Sequence, residues 1–195
     1  VGSLQWLVMS TRPDLAQAAG LLGRFSNAPG VEHVAAAIHV LQYLAGTVDL
    51  GITYHGSAEV LKKGYDHEDR LVASVDADLG GCKDTHKSTS GMVVWLNGGA
   101  ISWSSKKQST VSTSTTEAEM KAAARCSVEI VWLRDLVTEL GAKQGCVRVL
   151  EDNQGVVQLR ADSWSEGHVE ERALSASAGV CGGPGWARIH MAGSH

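Results

Sequence analysis

The sequence predicts an α/β domain with a mixed sheet, in the order β-β-β-α-β-α, preceded by a small helical segment. Three apolar runs separated by turn residues lie within 71–104, and residues 97–99 (Asn-Gly-Gly) are typical of a hairpin. An amphipathic helix follows over 112–141, and a further apolar run occupies 146–152. A strand, a crossover helix and another strand imply a parallel pair beside the antiparallel hairpin, and therefore a mixed sheet.

The strands and the long helix are each indicated by their apolar period. Leu71–Val75 and Ser90–Leu96 are rich in apolar and β-branched residues, and Ala100–Ser104 alternates apolar with polar side chains. Along the helix, apolar residues recur at steps of three and four and so share one face. That face contains Ala123, Cys126, Ile130, Leu133, Val137 and Leu140. After the fourth strand, Asn153 begins a short helix.

The first fifty residues are predicted to form a pair of helices. Ser10–Asp14 combines hydroxyl caps with an early proline, as at a helix start, and Ser26–Gly30 interrupts that helix. A second helix stops at Gly46. Its apolar face contains Val34, Ala37, Ile38, Leu41 and Ala45. The predicted division of the chain is a helical segment (1–50), a strand and linker (51–69, with Gly51–Tyr54 as the strand), the main domain (70–160) and an atypical, disordered tail (161–195).

Composition narrows the classes of function. The 195 residues are 44% hydrophobic and 19% charged, as in a globular protein with a core, and the net charge is −4. Since this charge creates no global basic field, any binding of nucleic acid must be local. No apolar run is long enough to span a membrane, and no secretory signal opens the sequence, so we expect an intracellular, cytoplasmic location and no secretion. The four cysteines lack C-x-x-C spacing, which is typical of reduced thiols.

Three carboxylates occupy unusual places in this arrangement. Asp76 and Asp152 each end an apolar strand, although aspartate is depleted in strands. If these two strands pair in parallel, both carboxylates lie at the same sheet edge, where open α/β sheets bind ligands. Glu119 continues the sheet-facing stripe of the long helix back toward its start. All-oxygen ligands suit Mg²⁺ or Mn²⁺, and two such ions about 4 Å apart can clamp the attacking and leaving oxygens of a phosphodiester.

A purely structural explanation of the same acids stays open from the residues alone. Ser114 with Glu117, and Thr116 with Glu119, both fit the S/T-x-x-E capping box, and acids favour the first turn of a helix through the macrodipole. An aspartate at a strand end is ordinarily a turn residue. The coincidence of all three acids at these places nevertheless favours a shared site.

Several motifs together resemble the ribonuclease H domain of copia-type LTR-retrotransposon polyproteins. They are Leu71–Asp78, Lys83–Gly91, Ile101–Gln108, Ser114–Glu119 and Glu151–Gln154. Four further motifs look like the end of the reverse transcriptase that precedes this domain in the family. They are Val1–Leu4, Thr11–Asp14, Arg24-Phe25 and Tyr43–Thr47. The resemblance covers about residues 1–160 in the order of the family.

The resemblance implies an RNase H-like fold in which Asp76, Glu119 and Asp152 are three of four metal-binding acids, with two Mg²⁺ (or Mn²⁺) ions. It also implies cleavage of the RNA strand of an RNA–DNA hybrid, with the reverse transcriptase portion of the same polyprotein as a partner. Hybrids are contacted through phosphates and 2′-hydroxyls, which lysine and hydroxyl side chains can bind. The candidate contacts are Lys83, Lys87, Lys106, Lys107, Ser114 and Thr115. For any single lysine, an ordinary solvated side chain is an equal alternative.

The family pattern stops after Leu159. The family continues with a basic segment carrying H-[IV]-D, which supplies the fourth acid, whereas this chain has a glycine-rich tail. His168-Val169-Glu170 resembles that motif with Glu170 in place of aspartate, but it comes sooner than the family spacing. Because the second ion of a two-metal site suffers most from a lost ligand, we expect hydrolysis to be weak or absent, with a residual preference for Mn²⁺.

Two other interpretations stay open. The chain is alternatively a catalytically inactive, transposon-derived remnant that at most binds nucleic acid. In a third interpretation, the first helical pair holds the template as a piece of the reverse transcriptase, and residues 1–50 alone would then bind a hybrid.

Overall fold

The computed structural model describes residues 1–54, 71–144, 147–153, 155–156, 178–183 and 186–191. The helices are α1 (Gly2–Ser10), α2 (Ala16–Arg24), α3 (Val31–Gly46) and α4 (Thr115–Glu139), with a 3₁₀ turn at Pro13–Leu15. The strands are β1 (Leu71–Asp78), β2 (Thr89–Leu96), β3 (Gly99–Lys107), β4 (Arg148–Leu150), β5 (Ala178–Gly183) and β6 (Trp186–Met191). The chain divides into two compact units, Val1–Thr53 with Ser104–Lys106, and Tyr54–Trp103 with Lys107–His195.

The helical unit contains three α-helices where the sequence predicts two, because α1 precedes the predicted start at Ser10. Its core is formed by Leu4, Val8, Leu15, Ala19, Leu22 and Val40. The buried Arg12 side chain lies 2.8 Å from Asp14 Oδ2, and it donates hydrogen bonds to the Thr47 carbonyl at 3.0 Å and the Thr47 hydroxyl at 2.7 Å. These bonds join the end of α3 to the turn before α2.

The predicted apolar face of α3 is not the face that packs, so this prediction is wrong. Val34 and Ile38 are each 51% exposed and Leu41 is 57% exposed, whereas Val40 is buried. Val40 lies one residue, or about 100° around the helix, from Leu41. The periodicity identified an apolar stripe, but the buried side of α3 is the neighbouring one that carries Val40.

The second unit is built on the mixed sheet that the sequence predicts, with strand order β3-β2-β1-β4. Strand β1 pairs antiparallel with β2, and it pairs in parallel with β4 through Ala73 and Val149. Helix α4 covers one face of the sheet. The shared core contains Leu71, Ala73, Val75, Val94, Ala122, Ala123, Cys126, Ile130, Leu133, Val147 and Val149. The α/β class and the parallel crossover are therefore confirmed.

Some predicted boundaries differ from the structure. Gly51–Tyr54 forms no strand, and the remainder of the predicted linker lies outside the described residues. The fourth strand is shorter than predicted, at Arg148–Leu150. Leu140 is 77% exposed because it is the C-cap of α4, so the apolar stripe ends at Val137.

The tail requires a partial correction. The sequence predicts disorder from 161 to 195, yet β5 and β6 pair antiparallel over six residues each. Strand pairing uses main-chain hydrogen bonds, which glycines also make, so the glycine-rich composition did not reveal it. The remaining residues of the tail, Glu170 among them, lie outside the described residues. Among the residues that the structure describes, no helix is long and apolar enough to cross a membrane.

Candidate metal centre

Asp76, Glu119 and Asp152 come together at one edge of the sheet. Each offers one carboxylate oxygen, and these three oxygens lie within 4.8 Å of one another. Asp76 lies within β1, opposite Gly91 of β2. The sequence predicts Asp76 at the end of the strand, but β1 continues for two more residues. Asp152 follows β4 by two residues. Because β1 and β4 are parallel neighbours, both strands carry their carboxylates to the same edge of the sheet.

Helix α4 supplies Glu119 from the core side of this edge. The helix begins after Ser114, whose hydroxyl accepts a hydrogen bond from the Glu117 N–H at 3.2 Å. Glu117 accepts hydrogen bonds from the Thr113 N–H and hydroxyl, at 2.7 and 2.8 Å, and from Lys121 at 2.7 Å. These bonds lower the pKa of Glu117 to about 2, with the Lys121 bond as the largest cause. Capping therefore explains Glu117.

Glu119 is not explained by capping. Thr116 lies inside the helix and is not its N-cap residue, so the second predicted capping box is wrong. The Glu119 side chain is only 6% exposed, and its Oε2 has no hydrogen-bond partner among the described residues. A buried carboxylate oxygen without a partner is costly unless a cation or a proton occupies its free side.

The electrostatics of the centre follow from this burial. Desolvation is the largest cause that raises the pKa of Glu119, and the charges of Glu151, Asp76 and Asp152 add to it. A backbone hydrogen bond with Ala77 partly offsets these effects, and the resulting pKa is about 7. A proton is therefore held near neutral pH where an isolated glutamate would have lost it. A divalent cation would relieve the same repulsion.

Glu151 is a member of this environment that the sequence analysis missed. It is 2% exposed, its Oε1 accepts a hydrogen bond from the Asn153 N–H at 3.1 Å, and its Oε2 has no partner among the described residues. Burial is the main cause of its raised pKa, and the charges of Asp152 and Asp76 add to it. The sequence could have indicated this burial. Glu151 comes two residues after the apolar Val149, and alternate residues of a strand lie on the same face of the sheet.

The predicted nucleic-acid contacts fall into two groups. Lys83, Lys106 and Thr115 are exposed. Lys87 instead donates a hydrogen bond to the Ser109 carbonyl, the Lys107 ammonium lies 3.9 Å from Cys82 Sγ, and Ser114 caps α4. The second group therefore has roles within the fold, and the first is the more accessible to a ligand.

The donor set fits a hard divalent cation. All three clustered ligands are carboxylates, which suit Mg²⁺ and Mn²⁺ and not a soft metal. Asp76 and Asp152 are exposed, so a bound ion would keep open positions for water or a phosphate oxygen. The cluster could thus hold a metal ion between the sheet edge and Glu119.

Comparison with known proteins gives Pol polyproteins of plant transposons as relatives over most of the chain. The retrovirus-related Pol polyprotein from transposon TNT 1-94 of Nicotiana tabacum is 41% identical over 163 residues, covering 84% of this chain and 12% of the relative. That from transposon RE1 of Arabidopsis thaliana is 44% identical over 163 residues, covering 83% and 10%. The chain therefore spans about a tenth of the length of these relatives.

A shorter relative is matched over most of its own length. The secreted RxLR effector protein 161 of Plasmopara viticola is 40% identical over 133 residues, which cover 68% of this chain and 87% of that protein. No protein-family model matches the chain, and no solved structure matches it. Over most of its residues, the chain is therefore similar to one region of the retrovirus-related Pol polyproteins of plant transposons.

Proposed function

We propose that the second unit is the ribonuclease H of a retrotransposon Pol polyprotein, which hydrolyses the RNA strand of RNA–DNA hybrids with two divalent ions. The observation that carries the proposal is the convergence of Asp76, Glu119 and Asp152 within 4.8 Å at the edge of a parallel strand pair. Homology to Pol polyproteins supports it, since those relatives belong to retrovirus-related transposons. The reverse transcriptase portion of such a polyprotein would be its partner.

Each acid has a distinct task in this proposal. Asp76 and Asp152 are exposed and hold the ion-binding oxygens toward solvent, where a phosphodiester can approach. Glu119 would supply a third carboxylate oxygen from the buried side of the site. When bound, two Mg²⁺ or Mn²⁺ ions neutralise charge on the attacking and leaving oxygens of the phosphodiester.

The hybrid would be held by contacts to its backbone. We assign this role first to Lys83 and Thr115, which are exposed in the second unit, and Lys106 is a further candidate. Phosphates and 2′-hydroxyls of a hybrid are accessible to such side chains without any reading of base sequence. Substitution of these residues should therefore weaken binding of all hybrid sequences alike.

The activity is expected to be weak. The family pattern that supplies a fourth acid is absent after Leu159, and the substitute Glu170 lies outside the described residues. Three carboxylates bind one divalent ion more securely than they bind two ions. This departure favours a second candidate function, a remnant that binds nucleic acid without cleaving it.

A cleavage assay separates the two candidates. Purified protein is incubated with a hybrid whose RNA strand is labelled, in Mg²⁺ and separately in Mn²⁺, beside Asp76→Asn and the control Asp78→Asn. Asp78 is exposed on the same strand but lies outside the cluster. Cleavage by the parent and by Asp78→Asn, but not by Asp76→Asn, supports the ribonuclease. Cleavage that survives Asp76→Asn contradicts this site, and no cleavage by a folded parent supports the remnant.

A further inference from the structure

Gln108 is a buried amide in the connection between β3 and α4, and it bonds to three separate segments. Its backbone N–H donates to the Ser88 carbonyl at 2.8 Å. Its side-chain Nε2 donates to the Ser90 hydroxyl and to the Ala118 carbonyl, both at 2.9 Å. Its Oε1 accepts a hydrogen bond from the Ser112 hydroxyl at 2.9 Å. The residue is 9% exposed, so these bonds are sheltered from water.

These bonds span the gap between two of the clustered acids. Ser90 is the strand partner of Ala77, the next residue after Asp76, and Gly91 is the partner of Asp76 itself. Ala118 immediately precedes Glu119 in the first turns of α4. One amide group thus bonds both to the neighbouring strand beside Asp76 and to the carbonyl beside Glu119.

A second set of bonds holds the connection itself in place. The Ser112 hydroxyl that donates to Gln108 lies 3.1 Å from the Lys121 ammonium, which donates to it. Lys121 also donates to the Thr110 hydroxyl at 3.0 Å and pairs with Glu117 at 2.7 Å. The loop is therefore tied to α4 on its exposed side and to β2 through Gln108 on its buried side.

Only an amide satisfies this arrangement at position 108. Two acceptors, a hydroxyl and a carbonyl, face Nε2, and one hydroxyl donor faces Oε1. A glutamate would bring a carboxylate against the Ala118 carbonyl, and a methionine of similar length would leave all three groups without this partner.

We propose that Gln108 is a positioning residue of the metal centre, which sets the separation of Glu119 from Asp76 and thereby the affinity for a divalent ion. The proposal rests on the metal-binding part of the proposed function. Carboxylates share an ion only when their oxygens are held within a few tenths of an ångström of the required geometry. Residues that orient metal ligands typically change metal affinity by about 10- to 100-fold when substituted.

The test is Mn²⁺ binding by titration calorimetry to the parent, to Gln108→Met and to the control Ile130→Val. Ile130 is a buried core residue of the same helix, about three turns beyond Ala118, so its variant controls for lost stability. We expect Gln108→Met to bind Mn²⁺ about tenfold more weakly. Ile130→Val should bind Mn²⁺ as tightly as the parent does, although it too is less stable than the parent.

Unchanged Mn²⁺ affinity in folded Gln108→Met would overturn the proposal. If that variant does not fold, Ser90→Ala removes one hydrogen bond only, and an affinity within experimental error of the parent overturns the proposal equally. Mn²⁺ binding that weakens in these variants while the parent cleaves no hybrid supports the role of Gln108 and contradicts the ribonuclease. A parent that binds no Mn²⁺ overturns both, because no metal centre then exists to be positioned.

Discussion

Glu119 and Glu151 are two buried carboxyl groups on neighbouring elements, and each has one oxygen without a hydrogen-bond partner among the described residues. Burial is the first cause of the raised pKa of Glu119, and the charge of Glu151 is the second. The protein thus places two like charges under the exposed pair Asp76 and Asp152. Such an arrangement is stable when protons or cations reduce the repulsion, and both cases can be measured.

The metal-free protein should lose stability as the pH rises from about 4.5 to about 7. The pKa of Glu119 is raised from 4.5 to about 7, so the folded state binds the proton more tightly than the unfolded state in this range. The stabilisation is complete below 4.5 and is lost as the pH passes through 7. We expect a fall of roughly 1–3 kcal/mol in the free energy of unfolding. Urea unfolding in chelator at several pH values measures it, and Glu119→Gln should flatten the profile. A rise in stability over this range would contradict the assignment.

Divalent ions should reverse this loss. Because metal binding requires deprotonated carboxylates, Mn²⁺ should raise the melting temperature more at pH 7.5 than at pH 5.5. At a hundredfold excess over the dissociation constant, the stabilisation amounts to about 2.7 kcal/mol. Thermal unfolding with and without Mn²⁺ tests this, with Asp76→Asn expected to lose the effect and Asp78→Asn to keep it. An equal shift in both variants would point to ions bound elsewhere.

Replacing Glu151 by glutamine should stabilise the metal-free protein at pH 7.5. The amide oxygen can still accept the hydrogen bond from the Asn153 N–H, while the buried charge next to Glu119 is removed. We expect a gain of about 1 kcal/mol, the order of the cost of leaving one buried polar group without a partner. Urea unfolding compares this variant with Glu151→Ala, which loses the acceptor as well and should be less stable than Glu151→Gln. A less stable Glu151→Gln would show that the carboxylate is better compensated than its orphaned oxygen indicates.

The end of the apolar stripe on α4 can be tested by two alanine substitutions. Ile130 is fully buried in the core of the sheet unit, so Ile130→Ala should cost about 2–5 kcal/mol. Leu140 is 77% exposed, and Leu140→Ala should change stability by no more than about 0.5 kcal/mol. Chemical denaturation measures both changes. Similar costs at the two positions would mean that Leu140 is buried in solution.

Much of the site could be predicted because it depends on local periods and on chain order. The steps of three and four in α4 identified its buried face from Ala123 to Val137, and the crossover from β3 through α4 to β4 implied a parallel partner for β1. Asp76 and Asp152 then had to meet at one edge. The structure moved Asp76 into β1 by two residues without changing that conclusion.

The tertiary structure decided what depends on residues far apart in the chain. An apolar stripe on α3 does not reveal which side packs, and Val40 is buried while Ile38 is exposed. The burial of Glu151, the raised pKa of Glu119 and the four hydrogen bonds of Gln108 likewise arise only when β2, β4 and α4 are assembled. The backbone period and the order of elements are properties of the sequence itself, which is why they were predictable. Desolvation and charge repulsion depend on distances through space, and only the folded chain determines those.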